Sequence, residues 1–205
     1  MPPTAFERKT GTHVEQIYGH MGSAISQAKQ SGQVAVIFGD LSYLAKTEEL
    51  SFVEFMPVGD GRLVIAWPKS GDALKKASDL AEITYKRIGL PNAKAAIYGI
   101  AATEFLQRSG LENQVKERLQ VVATVPQVSA YLVSGDIDAG FINFTEALGI
   151  KDKIGGYLEI DQALYSPVRI VAGVVKGYEN ETNVKALQAY LKSPEARAIA
   201  AKHGL

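Results

Sequence analysis

The sequence predicts an α/β protein, and three patterns carry that prediction. Short apolar segments recur along the chain, amphipathic stretches lie between them, and glycines or helix-capping residues punctuate the joins. Val34 to Phe38 and Ile170 to Val175 are nearly continuous apolar runs, as strands covered on both faces should be. Strands that alternate with helices of about ten residues build largely parallel sheets.

In chain order, Ala5, Phe6 and Glu7 read as the end of a helix already under way, and residues 14–18 as a short alternating strand. Ala24, Ile25 and Ala28 share one face of a helix over residues 23–30, with Gly32 as its stop. The apolar run 34–38 completes a strand, helix, strand unit. Further strands are expected at 52–56, 63–67, 83–88, 121–123, 139–142 and 170–175. Helices are expected at 98–108 (closed by Gly110), 126–134 (closed by Gly135) and 183–191. Ser193 and Pro194 open a last helix as N-cap and first helical residue.

Composition excludes several functions. The 205 residues carry 22 basic and 22 acidic side chains, scattered rather than gathered into a stripe, so no field draws a polyanion and nucleic acid is not an expected partner. The lack of cysteine rules out disulfides, thiolate zinc sites and a cysteine nucleophile. No apolar run approaches the roughly 18 residues of a membrane span. The polar start, with no apolar leader segment, fits either a cytoplasmic chain or one whose leader was removed.

The chain also lacks the signatures of catalysis. There is no G-x-S-x-G elbow, P-loop, dinucleotide-binding glycine motif or H-E-x-x-H. His13 and His203 are not placed as general bases, and Asp136 and Asp138 read as an ordinary helix-to-strand turn rather than a metal site. The expectation is therefore no enzyme, no catalytic residue, no metal and no cofactor.

Four strand-to-helix turns remain. A helix leaves its first four N–H groups without internal partners at the positive end of its dipole, so such a turn binds an anion without a charged side chain. The turns are Gly19-His20-Met21-Gly22-Ser23, Ala96-Ile97-Tyr98-Gly99, Thr124-Val125-Pro126 and Phe141-Ile142-Asn143-Phe144-Thr145. All four lie at the carboxyl ends of expected strands, where open α/β sheets bind ligands.

Several stretches together resemble a known family. They are Ala5-Phe6-Glu7-Arg8-Lys9-Thr10-Gly11, Tyr18-Gly19-His20-Met21-Gly22, Tyr98-Gly99, Val133-Ser134-Gly135-Asp136 with Asp138-Ala139-Gly140-Phe141, Tyr165-Ser166-Pro167-Val168-Arg169, and Leu191-Lys192-Ser193-Pro194-Glu195-Ala196-Arg197. In this order they resemble the molybdate-binding (ModA-like) receptors of bacterial ABC transporters, within the type II periplasmic binding proteins.

The resemblance implies a two-lobed fold with a ligand cleft between lobes, each lobe a mostly parallel sheet flanked by helices. Residues 1–67 and 168–205 would form the first lobe and residues 68–167 the second. It implies an oxyanion ligand, molybdate or tungstate ahead of sulfate, held by neutral donors at His20, Met21, Gly22, Ser23, Tyr98, Val125 and Asn143. Many relatives have serines where this chain has His20 and Met21, and some have a tyrosine in place of Asn143. A first β-strand and its serine-bearing turn, present in relatives, would precede this chain, so strand exchange or a dimer is one expected remedy. The implied setting is periplasmic or extracytoplasmic, with ABC transporter membrane subunits as partners. A sensor or effector-binding domain of the same fold, and a degenerate non-binding homologue, are the alternatives.

Overall fold

A computed structural model describes residues 4–94 and 96–205. In chain order the elements are α1 (Ala5–Thr10), α2 (Met21–Ser31), β1 (Val36–Asp40), α3 (Leu41–Lys46), β2 (Phe52–Gly61) and β3 (Leu63–Pro68). They continue with β4 (Ile88–Pro91), α4 (Ile97–Arg108), α5 (Glu112–Val115), β5 (Leu119–Val122), α6 (Val125–Ser134) and β6 (Ala139–Asn143). The last are α7 (Phe144–Ile150), β7 (Ile154–Glu159), β8 (Val168–Val175), α8 (Thr182–Leu191) and α9 (Pro194–Lys202). Two compact units result: one runs to Asp60 and takes up Arg169–His203 and Leu205, the other holds Gly61–Val168 and Gly204. The first boundary precedes the expected one at 67 because β3 is hydrogen-bonded into the second unit's sheet.

In the first unit β8 is the central strand of a three-stranded sheet, with β1 on one side and β2 on the other. β1 runs antiparallel to β8, from Val36 opposite Val174 to Asp40 opposite Ile170. On one face Ile25 and Ala28 of α2 and Leu44 of α3 pack with Ile37, Val171 and Val175; on the other, Met56, Ala172 and Val174 pack with Val184 of α8.

Two expectations for this unit do not hold. Residues 14–18 form no strand: Ile17 and Tyr18 are 60% and 74% exposed. A lone extended segment has no ladder to satisfy its backbone, and among the described residues no strand lies beside it. Ala5 to Glu7 begin a helix rather than end one. The Thr4 hydroxyl accepts from the Glu7 amide at 3.1 Å while the Glu7 carboxylate accepts from the Thr4 amide, a closed capping box. Bonds from the Thr4 and Val14 amides lower the Glu7 carboxyl to about 2.

The second unit holds a five-stranded sheet of order β5-β4-β6-β3-β7. Its interior strand β3 is apolar throughout: Leu63, Val64, Ile65 and Ala66 are fully buried. β4 runs parallel to β5 and β6, whereas β3 runs antiparallel to β6 and β7. This sheet is thus mixed rather than mostly parallel. Parallel neighbours need a crossover, which β4, β5 and β6 have through α4 and α6.

The strand expected at 83–88 begins only at Ile88, and Ile83 is 87% exposed. Side chains rather than a ladder satisfy that loop. The Arg118 guanidinium donates to the carbonyls of Ala81, Glu82, Tyr85 and Gln114, and the Asp138 carboxylate accepts from the Lys86 and Arg87 amides and from the Arg87 guanidinium. Burial pushes the Asp138 carboxyl up, but those Arg87 and Lys86 bonds outweigh it and hold it below its usual range. β7 escapes sequence reading because Gly155 and Gly156 interrupt its apolar pattern; both are needed beneath Trp67, where a Cβ would lie 2.7 and 2.6 Å from the indole.

Two contacts fix the strand and the helix that position the second unit's turns. The buried Tyr165 hydroxyl accepts the Leu63 amide at 3.0 Å, satisfying the start of β3. Gly99 lets α4 press onto the end of β4: a Cβ there would stand 2.3 Å from the Pro91 carbonyl oxygen and 2.8 Å from the Ala93 nitrogen. Tyr165→Phe strands a buried donor, at about 1–3 kcal/mol. Its melting midpoint falls by roughly 2–12 °C, and an unchanged midpoint contradicts this role. Gly99→Ala gains about 1 kcal/mol in helix propensity but overpacks against backbone. A net fall of roughly 2–8 °C is expected in the same melting assay.

Candidate functional site

Three parallel strands of the second unit carry three of the expected site residues to one edge of their sheet. β4 and β5 end together, Pro91 opposite Val122, and the Asn92 amide donates to the Val122 carbonyl at 2.7 Å. α4 starts beyond the first of these ends and α6 beyond the second, so Tyr98 and Val125 occupy the first turns of two helices that flank opposite faces of the sheet and start at the same edge. β6 lies on the other side of β4 and ends at Asn143. The carboxyl edge of a parallel sheet is where the free ends of crossover helices gather.

The caps differ. Thr124 caps α6, its hydroxyl accepting from the Gln127 amide at 3.3 Å, and Gln127 in turn accepts from the Ala123 amide at 3.1 Å. Pro126 is the second residue of α6 rather than the first. At α4 the cap position is Ala96, which offers no side-chain acceptor. Neither helix has an acidic residue in its first turn, so no carboxylate of its own offsets the dipole. The Tyr98 hydroxyl lies against Gly61, where a Cβ would be 2.1 Å from the phenol oxygen.

Asn143 is different in kind. It precedes α7, a helix of only seven residues with Glu146 in its first turn, and its side chain makes no cap bond. What it brings to that edge is a side-chain amide. Beside it, the Arg62 carbonyl accepts the Phe144 amide at 2.9 Å, while the Arg62 guanidinium stacks 3.9 Å over the Phe144 ring and pairs with Glu159 at 2.8 Å. The cation beside Asn143 is thus already neutralised.

In the first unit the stretch His20 to Ser23 opens α2, and the four residues do different things. His20 is the N-cap: its Nδ1 accepts from the Ser23 amide at 3.3 Å. Met21 packs inward. Its thioether lies over Gly39, where a Cβ would be 2.5 Å from the sulfur, and against the cluster of Ile25, Ile37 and Leu44. Only its backbone can face a ligand. Gly22 adjoins the Tyr43 hydroxyl, 3.5 Å from where a Cβ would be, and the Ser23 hydroxyl accepts from the Gln27 side chain at 2.9 Å. Tyr43 escaped sequence reading because α3 is too short to show a period; Asp40, which caps it at the Tyr43 amide, was the available signal.

The sequence matches the family of bacterial extracellular solute-binding proteins over residues 4–205. Molybdate-binding protein ModA of Rhodobacter capsulatus is 25% identical over 205 residues, covering 97% of this chain and 79% of the relative. The periplasmic molybdate-binding protein of Azotobacter vinelandii has a similar structure, with a TM-score of 0.80 and 25% identity over 97% of this chain and 89% of that one. PEB3, the protein of Campylobacter jejuni, shares the fold at a TM-score of 0.80 and 20% identity when bound to L-phospholactate, over 97% of this chain and 90% of that one. The fold is that of the type II periplasmic binding proteins, and its function is binding rather than catalysis. With its carboxyl-edge helix starts and no charged side chain in their first turns, this chain belongs to the bacterial extracellular solute-binding protein family.

Proposed function

We propose that the chain is an oxyanion receptor that delivers molybdate or tungstate to the membrane subunits of an ABC transporter outside the cytoplasm. One observation carries the reading. The first turns of α2, α4 and α6 contain no acidic or basic side chain, so their amides and dipoles offer uncancelled positive potential to a small anion. The names of the Rhodobacter and Azotobacter relatives support molybdate, and a substrate-binding lipoprotein of Bacillus subtilis, 26% identical over 196 residues, supports the transporter.

The donors in this reading are the amides of Met21, Gly22, Tyr98 and Val125, the Ser23 hydroxyl, the His20 ring and the Asn143 side-chain amide. Neutral donors suit a dianion that must later be released, since they avoid the desolvation of a buried ion pair. Met21 contributes through its backbone, because its partly buried side chain packs against the cluster of Ile25, Ile37 and Leu44.

A thermal-shift panel of molybdate, tungstate, sulfate and phosphate tests the proposal. A ligand at about a hundred times its Kd stabilises by roughly 2.7 kcal/mol. For a chain of this size that raises the midpoint by about 5–11 °C. Molybdate and tungstate are expected to give the largest shifts. A flat response to all four overturns the reading.

A further inference from the structure

One ion pair of the second unit stands at the sheet edge that carries Tyr98 and Asn143. Gly61 and Arg62 lead into β3, which lies between β6 and β7. On one side the Arg62 carbonyl accepts the Phe144 amide at 2.9 Å, and Leu63 lies opposite Asn143. On the other the Leu63 carbonyl accepts the Ile160 amide at 3.1 Å, and Val64 lies opposite Glu159. The Tyr98 hydroxyl sits over Gly61. Arg62 therefore stands between the two chain positions that meet Tyr98 and Asn143.

Its guanidinium is held from two directions. One nitrogen donates to the Glu159 carboxylate at 2.8 Å, and the central carbon lies 3.9 Å over the Phe144 ring. The two side chains of the pair are 37% and 44% exposed, so water screens them and the pair adds little to stability. What the pair does fix is charge. A guanidinium relieved of its carboxylate is a free cation with spare N–H groups in the planar arrangement that suits oxyanions. The other charged groups near this edge are Lys94, exposed in the turn before α4, Glu146 in the first turn of α7, and Asp161, which accepts the Ala163 amide at 2.9 Å. None of them is bonded to Arg62 or Glu159.

On the reading that Tyr98 and Asn143 contact the oxyanion, we propose that Glu159 is a positioning residue that acts through Arg62, keeping the guanidinium on Phe144 and its charge offset. With the pair closed, the anion is left to neutral donors, which select by fit and are little affected by salt. Without Glu159, Arg62 would add a salt-sensitive attraction for any dianion. Without Arg62, Glu159 would repel the same dianion.

Calorimetric titration with molybdate tests this on the whole protein and on Glu159→Gln, Arg62→Gln and the double variant, at low ionic strength and in about 1 M sodium chloride. At low salt Glu159→Gln should bind about fivefold more tightly and Arg62→Gln about fivefold more weakly. The double variant should return to within about twofold of the unaltered chain. High salt should remove most of both shifts, as the screening length falls to about 3 Å. Loss of a merely structural contact would instead shift both single variants in the same direction and would not be repaired by the second substitution. Melting midpoints within about 4 °C of the unaltered chain are expected for a pair this exposed, and they establish that each variant is folded. Single variants that move together, or not at all, overturn the role of Glu159, as does a double variant no closer to the unaltered chain than Arg62→Gln. If none of the four proteins binds molybdate, the oxyanion reading falls, and this role with it.

Discussion

The first turn of every helix presents N–H groups that the helix itself cannot satisfy, and the use this chain makes of its helices depends on what meets them. At α1, α3 and α9 the answer is local: Thr4, Asp40 and Ser193 take those hydrogens, and a carboxylate stands in the first turn of α1 and of α9. At α2 the cap is a histidine, at α6 a threonine with no acid behind it, and at α4 an alanine whose side chain accepts nothing, though its carbonyl takes the Gly99 and Ile100 amides. Of these three helices, α4 and α6 begin beyond strand ends, whereas α2 follows an extended segment that belongs to no sheet among the described residues.

Packing places those starts. α4 reaches the end of β4 only because Gly99 has no side chain, and the parallel pairing of β4 with β5 puts the start of α6 at the same edge. Behind them Gly89 and Gly140 leave room for Val128 and Ile137, so α6 sits close upon β4 and β6. The antiparallel strand β3, buried and tied at Leu63 to Tyr165, lies inside the sheet between β6 and β7. A shift of any one of these contacts would move donors relative to one another, and anion recognition by neutral groups tolerates little of that.

Much of this was legible in residue order. The glycine stops at Gly32, Gly110 and Gly135 all have the positive φ that such a stop requires, and Ser193 with Pro194 opens α9 as read. The four turns were visible because glycine, threonine and proline mark helix starts. What was hidden depended on distant partners. An alternating pattern at 14–18 is a strand only beside another strand, and the exposed loop before Ile88 is held by Arg118 and Asp138 rather than by a ladder. Met21 reads as a turn residue in sequence, yet Gly39, on a strand after the helix, gives it a seat against the core.

The central claim is that backbone amides at the starts of α4 and α6, rather than lysine or arginine side chains, hold the anion. Residue-resolved amide hydrogen exchange with and without saturating molybdate tests it most directly. The account predicts slowed exchange at Tyr98 and Val125, with amides near the scattered lysines and arginines unmoved. Unchanged exchange at both positions, together with protection around a lysine or arginine, would contradict it.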